Sequence, residues 1–235
     1  MPKSSMTDEN NFPGLKKRIA VSDLDHVYSE LKQSMMMGLF APGQPLKLRE
    51  LAEAFGTSHM PVREALHRLA VAEVLETAPR KSPFVPLANS KRLRDILSLR
   101  IDLECKAALL ALELDDGMLA NRLRIVNGKM DAESIKKRPH IHKYLKLNQQ
   151  FHFEIYRQSN NDVLLNLIEL LWMRYGPLLN FLQSDDGQFF EHSQHNKIIK
   201  AIETQDSKAL SESISSDLTV AAESIERNLL SVLNA

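Results

Sequence analysis

Arginine side chains stand near the start of two neighbouring helical runs in the N-terminal part of the sequence. Arg49 is the second residue of the first run, and Arg63 lies in the first turn of the second. A guanidinium group can fork to a guanine edge or to phosphate oxygens. The pair therefore indicates contacts with nucleic acid, with the alternative that both arginines form surface ion pairs with the nearby Glu53 and Glu64.

The helix that carries Arg63 has one apolar and one polar side. Ser58 can cap its N-terminus. His59 and Met60 lie with Arg63 on the side opposite the apolar residues Val62, Ala65, Leu66 and Leu69. A helix, a glycine-containing turn and a second helix with a polar first turn form the arrangement that enters the DNA major groove. These residues predict a helix-turn-helix that binds double-stranded DNA.

Three helices must position these side chains. Helical periodicity starts at Asp23, with Ser22 or Asp23 as the N-cap, and stops at Gly38. Two shorter helices are predicted at Leu48–Phe55 and Pro61–Ala72, separated by a turn that contains glycine.

A short hairpin is predicted to follow the third helix. Two extended pieces, Glu76–Ala78 and Phe84–Pro86, flank a proline-rich turn that carries Arg80 and Lys81. This pattern predicts a β-hairpin wing whose basic turn faces the DNA.

The sequence beyond Asn89 is helical almost to its end. Breaks in the pattern divide it into about six helices of roughly 16–25 residues. The breaks lie near Asp115–Gly117, Lys137–Pro139, Ser159–Asn161, Ser184–Gly187 and Gln205–Ser207. Short connections are typical of antiparallel bundles. The predicted fold class is mainly α, with an N-terminal winged helix-turn-helix and a C-terminal antiparallel α-helical bundle.

Length and charge agree with two domains after a polar arm. The 235 residues carry 30 basic and 30 acidic side chains, and residues 1–92 hold 13 of the basic and 10 of the acidic ones, a small excess that favours DNA binding by the first half. We expect a mobile arm at 1–18, a DNA-binding domain at 19–88 and a helical domain at 89–235. The arm ends in Lys16, Lys17 and Arg18, which could touch a DNA backbone or form a solvated tail.

The expected location is the cytoplasm. The sequence has one cysteine, Cys105, which cannot form an internal disulfide. No apolar stretch approaches the ~18 residues of a membrane span, and no secretory signal precedes the first helix.

Residues 24–88 resemble the winged helix of the GntR family of bacterial transcription regulators. The resemblance rests on Pro42-Gly43, Leu51-Ala52-Glu53, Gly56, the run Pro61-Val62-Arg63-Glu64-Ala65-Leu66, and Leu69. It implies that Arg49, Arg63 and a basic wing contact operator DNA. A homodimer on a near-palindromic site is expected, because one winged helix reads too few base pairs for specificity.

The chain departs from the GntR pattern at two places. His59 and Met60 stand where the family usually has Arg and Thr, so the base preference at that position can differ. Ser82 stands where a glycine usually occurs in the wing, and Arg80 and Lys81 supply the wing's charge.

Residues 90–232 resemble the FCD effector domain of the FadR-like subfamily, and the six helices resemble its VanR-like branch. Many such domains bind a divalent metal through one acidic residue and three histidines. The matching residues here are Asn148, His152, His195 and Asp217. Asn148 replaces the family's Asp, and Asp217 replaces a His. The resemblance implies a site for Zn, Ni or Mn, and the alternative is a metal-free polar pocket.

The same resemblance suggests how an effector is held. Arg100 and Glu104 match the family's Arg and Glu near the start of the first sensor helix, and Arg100 could fork to the carboxylate of a small organic acid. The alternative is a surface ion pair between Arg100 and Glu104 across one helical turn. Arg174 is a second candidate cation.

Two further functions compete with a ligand-responsive regulator. The helical half could serve only for dimerisation. Alternatively, His152, His195 and Asp217 could form the metal centre of a hydrolase, with Glu154 or Glu191 as the base.

Overall fold

The computed structural model describes residues 22–136, 140–182 and 193–233. The predicted arm at 1–18, the predicted helix breaks at 137–139 and 184–187, and Glu191 lie outside the described residues. The helices are α1 Asp23–Met36, α2 Leu48–Phe55, α3 His59–Val71, α4 Ser90–Glu113, α5 Leu119–Ser134, α6 Ile141–Gln158, α7 Asp162–Tyr175, a 3₁₀ helix Gly176–Phe181, α8 Ser193–Glu203 and α9 Ser207–Leu233.

The first three helices pack on one another, and their buried apolar residues are continuous with those of the C-terminal bundle. Ser22 caps α1, since its Oγ accepts a hydrogen bond from the Asp25 N–H at 3.1 Å. Helix α2 has the predicted bounds. Helix α3 begins at His59, two residues before the predicted start. Pro61 is therefore its third residue, a position where the missing N–H costs little because no intrahelical acceptor exists for it.

The predicted wing is present in a reduced form. Glu76 and Phe84 exchange both backbone hydrogen bonds, at 2.8 and 2.9 Å, but the described residues contain isolated bridges rather than continuous strands. The Lys81 N–H donates to the Ala78 carbonyl at 3.1 Å and closes the turn. Arg80 adopts a left-handed conformation in this turn, with φ of 62°.

Six α-helices of the described chain, α4 to α9, form the C-terminal bundle, which is the predicted number. Helices α7 and α8, with 14 and 11 residues, are shorter than predicted, and α9, with 27, is longer. Helix α4 packs along α9, α5 packs against α6, and α8 packs against α9. The predicted breaks at Asp115–Gly117, Ser159–Asn161 and Gln205–Ser207 are confirmed. Among the helices of the described residues, none is long and apolar enough to cross a membrane.

The end of α7 differs from the prediction of one continuous helix. The chain tightens into the 3₁₀ helix at Gly176, which is followed by Pro177, a residue without an N–H donor. A Cβ at Gly176 would lie 1.9 Å from the Met35 carbonyl oxygen of α1. Glycine is therefore required here, because the backbones of the two domains touch.

Candidate functional site

The polar side of α3 is exposed, as the sequence pattern predicts. Val62, Ala65, Leu66 and Leu69 are all buried, whereas His59 and Arg63 are exposed and Met60 is 69% exposed. The side chains predicted to enter the major groove thus face solvent together. Ser58 occupies the N-cap position, but its side chain makes no capping hydrogen bond.

The remaining cations of the predicted DNA surface are also exposed. Arg49 lies at the start of α2, and Arg80 and Lys81 lie in the wing turn. Among the described residues, neither Arg49 nor Arg63 forms an ion pair. Glu64 instead pairs with Arg68 at 3.3 Å, so the alternative of surface pairs with Glu53 and Glu64 does not match the geometry.

A cavity of about 310 Å³ lies in the helical bundle and is also lined by Met36 of α1. Its polar wall includes Arg100, Asn148, His152, Gln194, His195 and Asp217, and its apolar wall includes Met36, Leu145, Trp172, Tyr175, Leu179, Leu182 and Leu218. An apolar cavity with a few convergent polar groups is the usual form of a small-molecule site.

Three of the predicted metal ligands meet at the wall of this cavity. His152 of α6, His195 of α8 and Asp217 of α9 have ligand atoms that all lie within 4.8 Å of one another. His152 Nε2 is 3.2 Å from Asp217 Oδ2, and His195 Nε2 is 3.5 Å from Asp217 Oδ1. Asn148 lies one helical turn before His152 and lines the same cavity.

The electrostatics of the cluster favour an ionised carboxylate. Burial by itself raises the pKa of Asp217. The hydrogen bond from His152 and the charges of His195, His152 and Arg100 outweigh it, so the pKa of Asp217 lies below its ordinary value. Two imidazoles and a carboxylate form a donor set that Zn²⁺ and related divalent metals accept.

Arg100 and Glu104 form a buried pair rather than the surface pair considered above. Arg100 is 3% exposed and Glu104 is 0% exposed. Arg100 Nε lies 2.6 Å from Glu104 Oε1. The guanidinium also stacks on two aromatic rings, with its Cζ 4.6 Å from the ring centroid of Trp172 and 4.3 Å from that of Tyr175.

Tyr156 connects this pair to the histidine cluster, and the sequence analysis missed it. Its hydroxyl donates to Glu104 Oε2 and lies 3.1 Å from His152 Nδ1. Burial, followed by the Glu104 carboxylate, raises the pKa of Tyr156 well above its ordinary value, so the hydroxyl keeps its proton. Its position one helical turn after His152 was the available signal. Trp172, whose Nε1 donates to Glu104 Oε1 at 3.0 Å, was also missed.

Of the three predicted effector residues, Arg100 lines the cavity, whereas Glu104 lies behind Arg100 and does not line it. Arg174 lies elsewhere. Its Nη2 donates to the Ala72 carbonyl at 2.7 Å and lies 3.2 Å from Glu73 Oε2. It does not line the cavity. The reason is its position on the side of α7 that faces the winged helix rather than the bundle interior. The prediction that Arg174 binds effector is therefore corrected.

Known proteins match both halves of the chain. A family model described as bacterial regulatory proteins, gntR family, matches residues 24–85, and an FCD domain model matches residues 95–219. The HTH-type transcriptional regulator McbR of Escherichia coli K12 is 32% identical over 193 residues, which cover 81% of this chain and 86% of McbR. The chain belongs to the GntR family. Its FCD domain places it in the FadR-like subfamily.

Other GntR-family relatives agree in sequence and fold. The Nta operon transcriptional regulator of Aminobacter aminovorans is 30% identical over 158 residues. The aligned region covers 66% of this chain and 72% of that regulator. A solved structure of E. coli McbR/YncC superposes with a TM-score of 0.77 at 28% identity, covering 92% of this chain and 99% of that one. A solved structure of a GntR regulator from Rhodococcus sp. RHA1 superposes with a TM-score of 0.68. At 18% identity, this likeness supports only the fold.

This GntR-family chain is therefore a DNA-binding transcription regulator with an FCD effector-binding domain, and it is not an enzyme. The hydrolase alternative is wrong, since the relatives named above are transcription regulators. Its candidate base Glu154 pairs with Arg122, whose Nε lies 2.7 Å from Glu154 Oε1, and Glu154 does not line the cavity.

Proposed function

We propose that this regulator binds operator DNA through α3 and the wing, and that a small carboxylate-bearing effector in the bundle cavity controls this binding with the help of a divalent metal. The observation that supports it most is the buried meeting of His152, His195 and Asp217 beside Arg100. The cluster lies on three different helices, so a ligand there can alter how the helices pack.

The residues of the cluster fit a metal. His152, His195 and Asp217 would hold Zn, Ni or Mn, and Asn148 would add a neutral oxygen from the adjacent helical turn. A bound divalent metal supplies a Lewis-acid position that a carboxylate can complete. His152 is 1% exposed and His195 is 4% exposed. Bulk water therefore competes little with a metal for their ring nitrogens.

Arg100 would orient the effector's carboxylate. Its guanidinium lines the cavity, and Glu104 and the two stacked aromatic rings fix its position. A guanidinium that is already fixed loses little conformational entropy when it donates hydrogen bonds to a carboxylate, so it favours bidentate recognition. The apolar wall opposite suits an organic acid with an apolar body.

The DNA side of the proposal uses the exposed residues of the first domain, taken as 19–88. Arg49, Ser58, Arg80 and Lys81 would contact the backbone. His59, Met60 and Arg63 would face the base edges. Two copies of the chain, joined through the helical domains at 89–235, would read two half-sites as a homodimer in the cytoplasm. Monomeric elution at micromolar concentration, with and without DNA, would count against the dimer.

The deciding experiment is metal content and affinity after dialysis against a weak chelator. We expect the wild type to retain one zinc per chain and His152→Ala to lose it, because a ligand is removed. Asn148→Asp should bind zinc more tightly, because it adds a negative charge at the cluster. The matched control is His142→Ala, which removes an exposed histidine from the same helix and should change nothing.

Equal, sub-stoichiometric metal in wild type, His152→Ala and Asn148→Asp would mean that the cluster is only a polar pocket. A thermal-shift screen of small organic acids, with and without zinc, then tests the effector, because a ligand that binds only the folded state raises Tm. No stabilisation by any acid would favour a helical domain that serves only for dimerisation.

A further inference from the structure

A chain of three buried groups runs from α4 to the histidine cluster: the Glu104 carboxylate, the Tyr156 hydroxyl and the His152 imidazole. We propose that Tyr156 is a positioning residue that fixes the tautomer of His152, with hydrogen on Nδ1, so that Nε2 is the metal-binding atom. This inference rests on the proposed metal site.

The direction of these hydrogen bonds follows from counting hydrogens. Glu104 accepts from the N–H groups of Arg100 and Trp172 as well as from the Tyr156 hydroxyl. A tyrosine has one hydroxyl hydrogen, and Tyr156 gives it to Glu104. Towards His152 Nδ1, 3.1 Å away, the Tyr156 oxygen can therefore act only as an acceptor. His152 must place a hydrogen on Nδ1 to make this contact.

The other ring nitrogen is then left for the ligand. A neutral imidazole carries one hydrogen, so a hydrogen on Nδ1 leaves a lone pair on Nε2. His152 Nε2 is the ring atom that faces Asp217 Oδ2, at 3.2 Å, and without a metal its hydrogen makes the bond to Asp217. A metal would displace this hydrogen from Nε2, whereas the hydrogen on Nδ1 would stay with Tyr156. The bond made by one ring nitrogen commonly decides which nitrogen binds a metal, and it also fixes the plane of the ring.

Burial makes the Tyr156 hydroxyl hard to replace. Tyr156 and Glu104 are each 0% exposed and His152 is 1% exposed, so bulk water does not reach the gap that a missing hydroxyl would leave. Loss of this one oxygen would free the ring of His152 to rotate or to exchange tautomers.

Tyr175 offers a matched control in the same cavity wall. It is also buried and aromatic, but its ring stacks on Arg100 rather than contacting His152. Tyr175→Phe keeps the ring that stacks on Arg100, so each of Tyr175→Phe and Tyr156→Phe removes only one buried hydroxyl. Only the second removes the acceptor for His152.

The test uses the full-length protein, ¹⁵N-labelled and titrated with zinc. Long-range ¹H–¹⁵N NMR of the imidazoles reports which nitrogen carries hydrogen, and His152→Ala assigns the signals of His152. In the wild type and in Tyr175→Phe, we expect zinc on Nε2 and hydrogen on Nδ1 of His152. In Tyr156→Phe, we expect a zinc Kd roughly 10–100-fold higher and loss of this single-tautomer pattern.

Wild-type affinity and an unchanged tautomer in Tyr156→Phe would overturn the positioning role while leaving the metal site intact. Zinc on Nδ1 of His152 in the wild type would overturn it as well, whether or not the variant folds. Absence of zinc binding by the wild type would instead overturn the proposed metal site, and this inference with it.

Discussion

Arg63 and Arg100 are both helical arginines close to a proposed binding site, but their surroundings are opposite. Arg63 is exposed on α3 and makes no ion pair within the described residues. Arg100 is 3% exposed, pairs with Glu104 and lies against two aromatic rings. Within the described parts of the chain, the Arg63 guanidinium forms no ion pair, whereas that of Arg100 is held by several groups.

This difference predicts that the exposed arginine serves binding, whereas the buried arginine is also needed for the fold. An exposed guanidinium stays solvated until a partner such as DNA supplies negative charge, so its loss should weaken binding and spare the fold. A buried guanidinium needs its carboxylate at all times, because an unpaired charge in an apolar interior is costly. The two regions should therefore respond to substitution in opposite ways.

The largest expected effect is on stability, at the buried pair. Glu104→Ala should lower the free energy of unfolding by about 3–5 kcal/mol, because Arg100 would be left as an uncompensated buried charge. Urea denaturation of the metal-free protein measures this. Glu50→Ala is the control, since its pair with Lys47 is exposed and such pairs contribute at most about 1 kcal/mol. Similar losses of unfolding free energy in Glu104→Ala and Glu50→Ala would contradict the difference between the buried and the exposed pair.

The next effect is on DNA binding. Arg63→Ala should weaken binding to a duplex selected from a random library by ~1–3 kcal/mol, through loss of a base contact, and leave Tm unchanged. Lys81→Ala should weaken binding to all duplexes about equally and lower the slope of affinity against salt by about one. Unchanged affinity in Arg63→Ala would show that α3 is not the recognition helix.

A smaller effect distinguishes two serines at helix N-termini. Ser22→Ala should destabilise the protein by ~1 kcal/mol, since its Oγ accepts a hydrogen bond from Asp25 N–H. Ser58 makes no such bond, so Ser58→Ala should leave Tm unchanged and weaken DNA binding. Thermal unfolding of both variants measures the first effect, and DNA titration measures the second. A loss of Tm in Ser58→Ala would mean that this serine serves the helix rather than DNA.

The sequence predicted most of the helices and the faces that they bury. Apolar residues at three- and four-residue steps mark the inward side of α3, and helix α2 has the predicted bounds. The meeting of His152, His195 and Asp217 followed from a family motif, and the structure brings these residues together.

Contacts between distant segments could not be predicted in this way. Tyr156 and Glu104 are 52 positions apart, and a periodic pattern shows which side of a helix is buried but not which residue of another helix faces it. The same limit applies to Arg174, which contacts the winged helix. It also applies to Gly176, whose missing side chain matters only because α1 packs on it.

The central claim is that the exposed surface of α3 binds DNA and the buried cavity binds metal. The most direct test measures operator affinity and zinc content on the same preparations of wild type, Arg63→Ala and His152→Ala. We expect Arg63→Ala to lose operator affinity and keep its zinc. We expect His152→Ala to lose zinc and still bind DNA as a folded protein. Loss of zinc in Arg63→Ala, or full zinc occupancy in His152→Ala, would contradict the separation of an exposed DNA-binding surface from a buried metal-binding cavity.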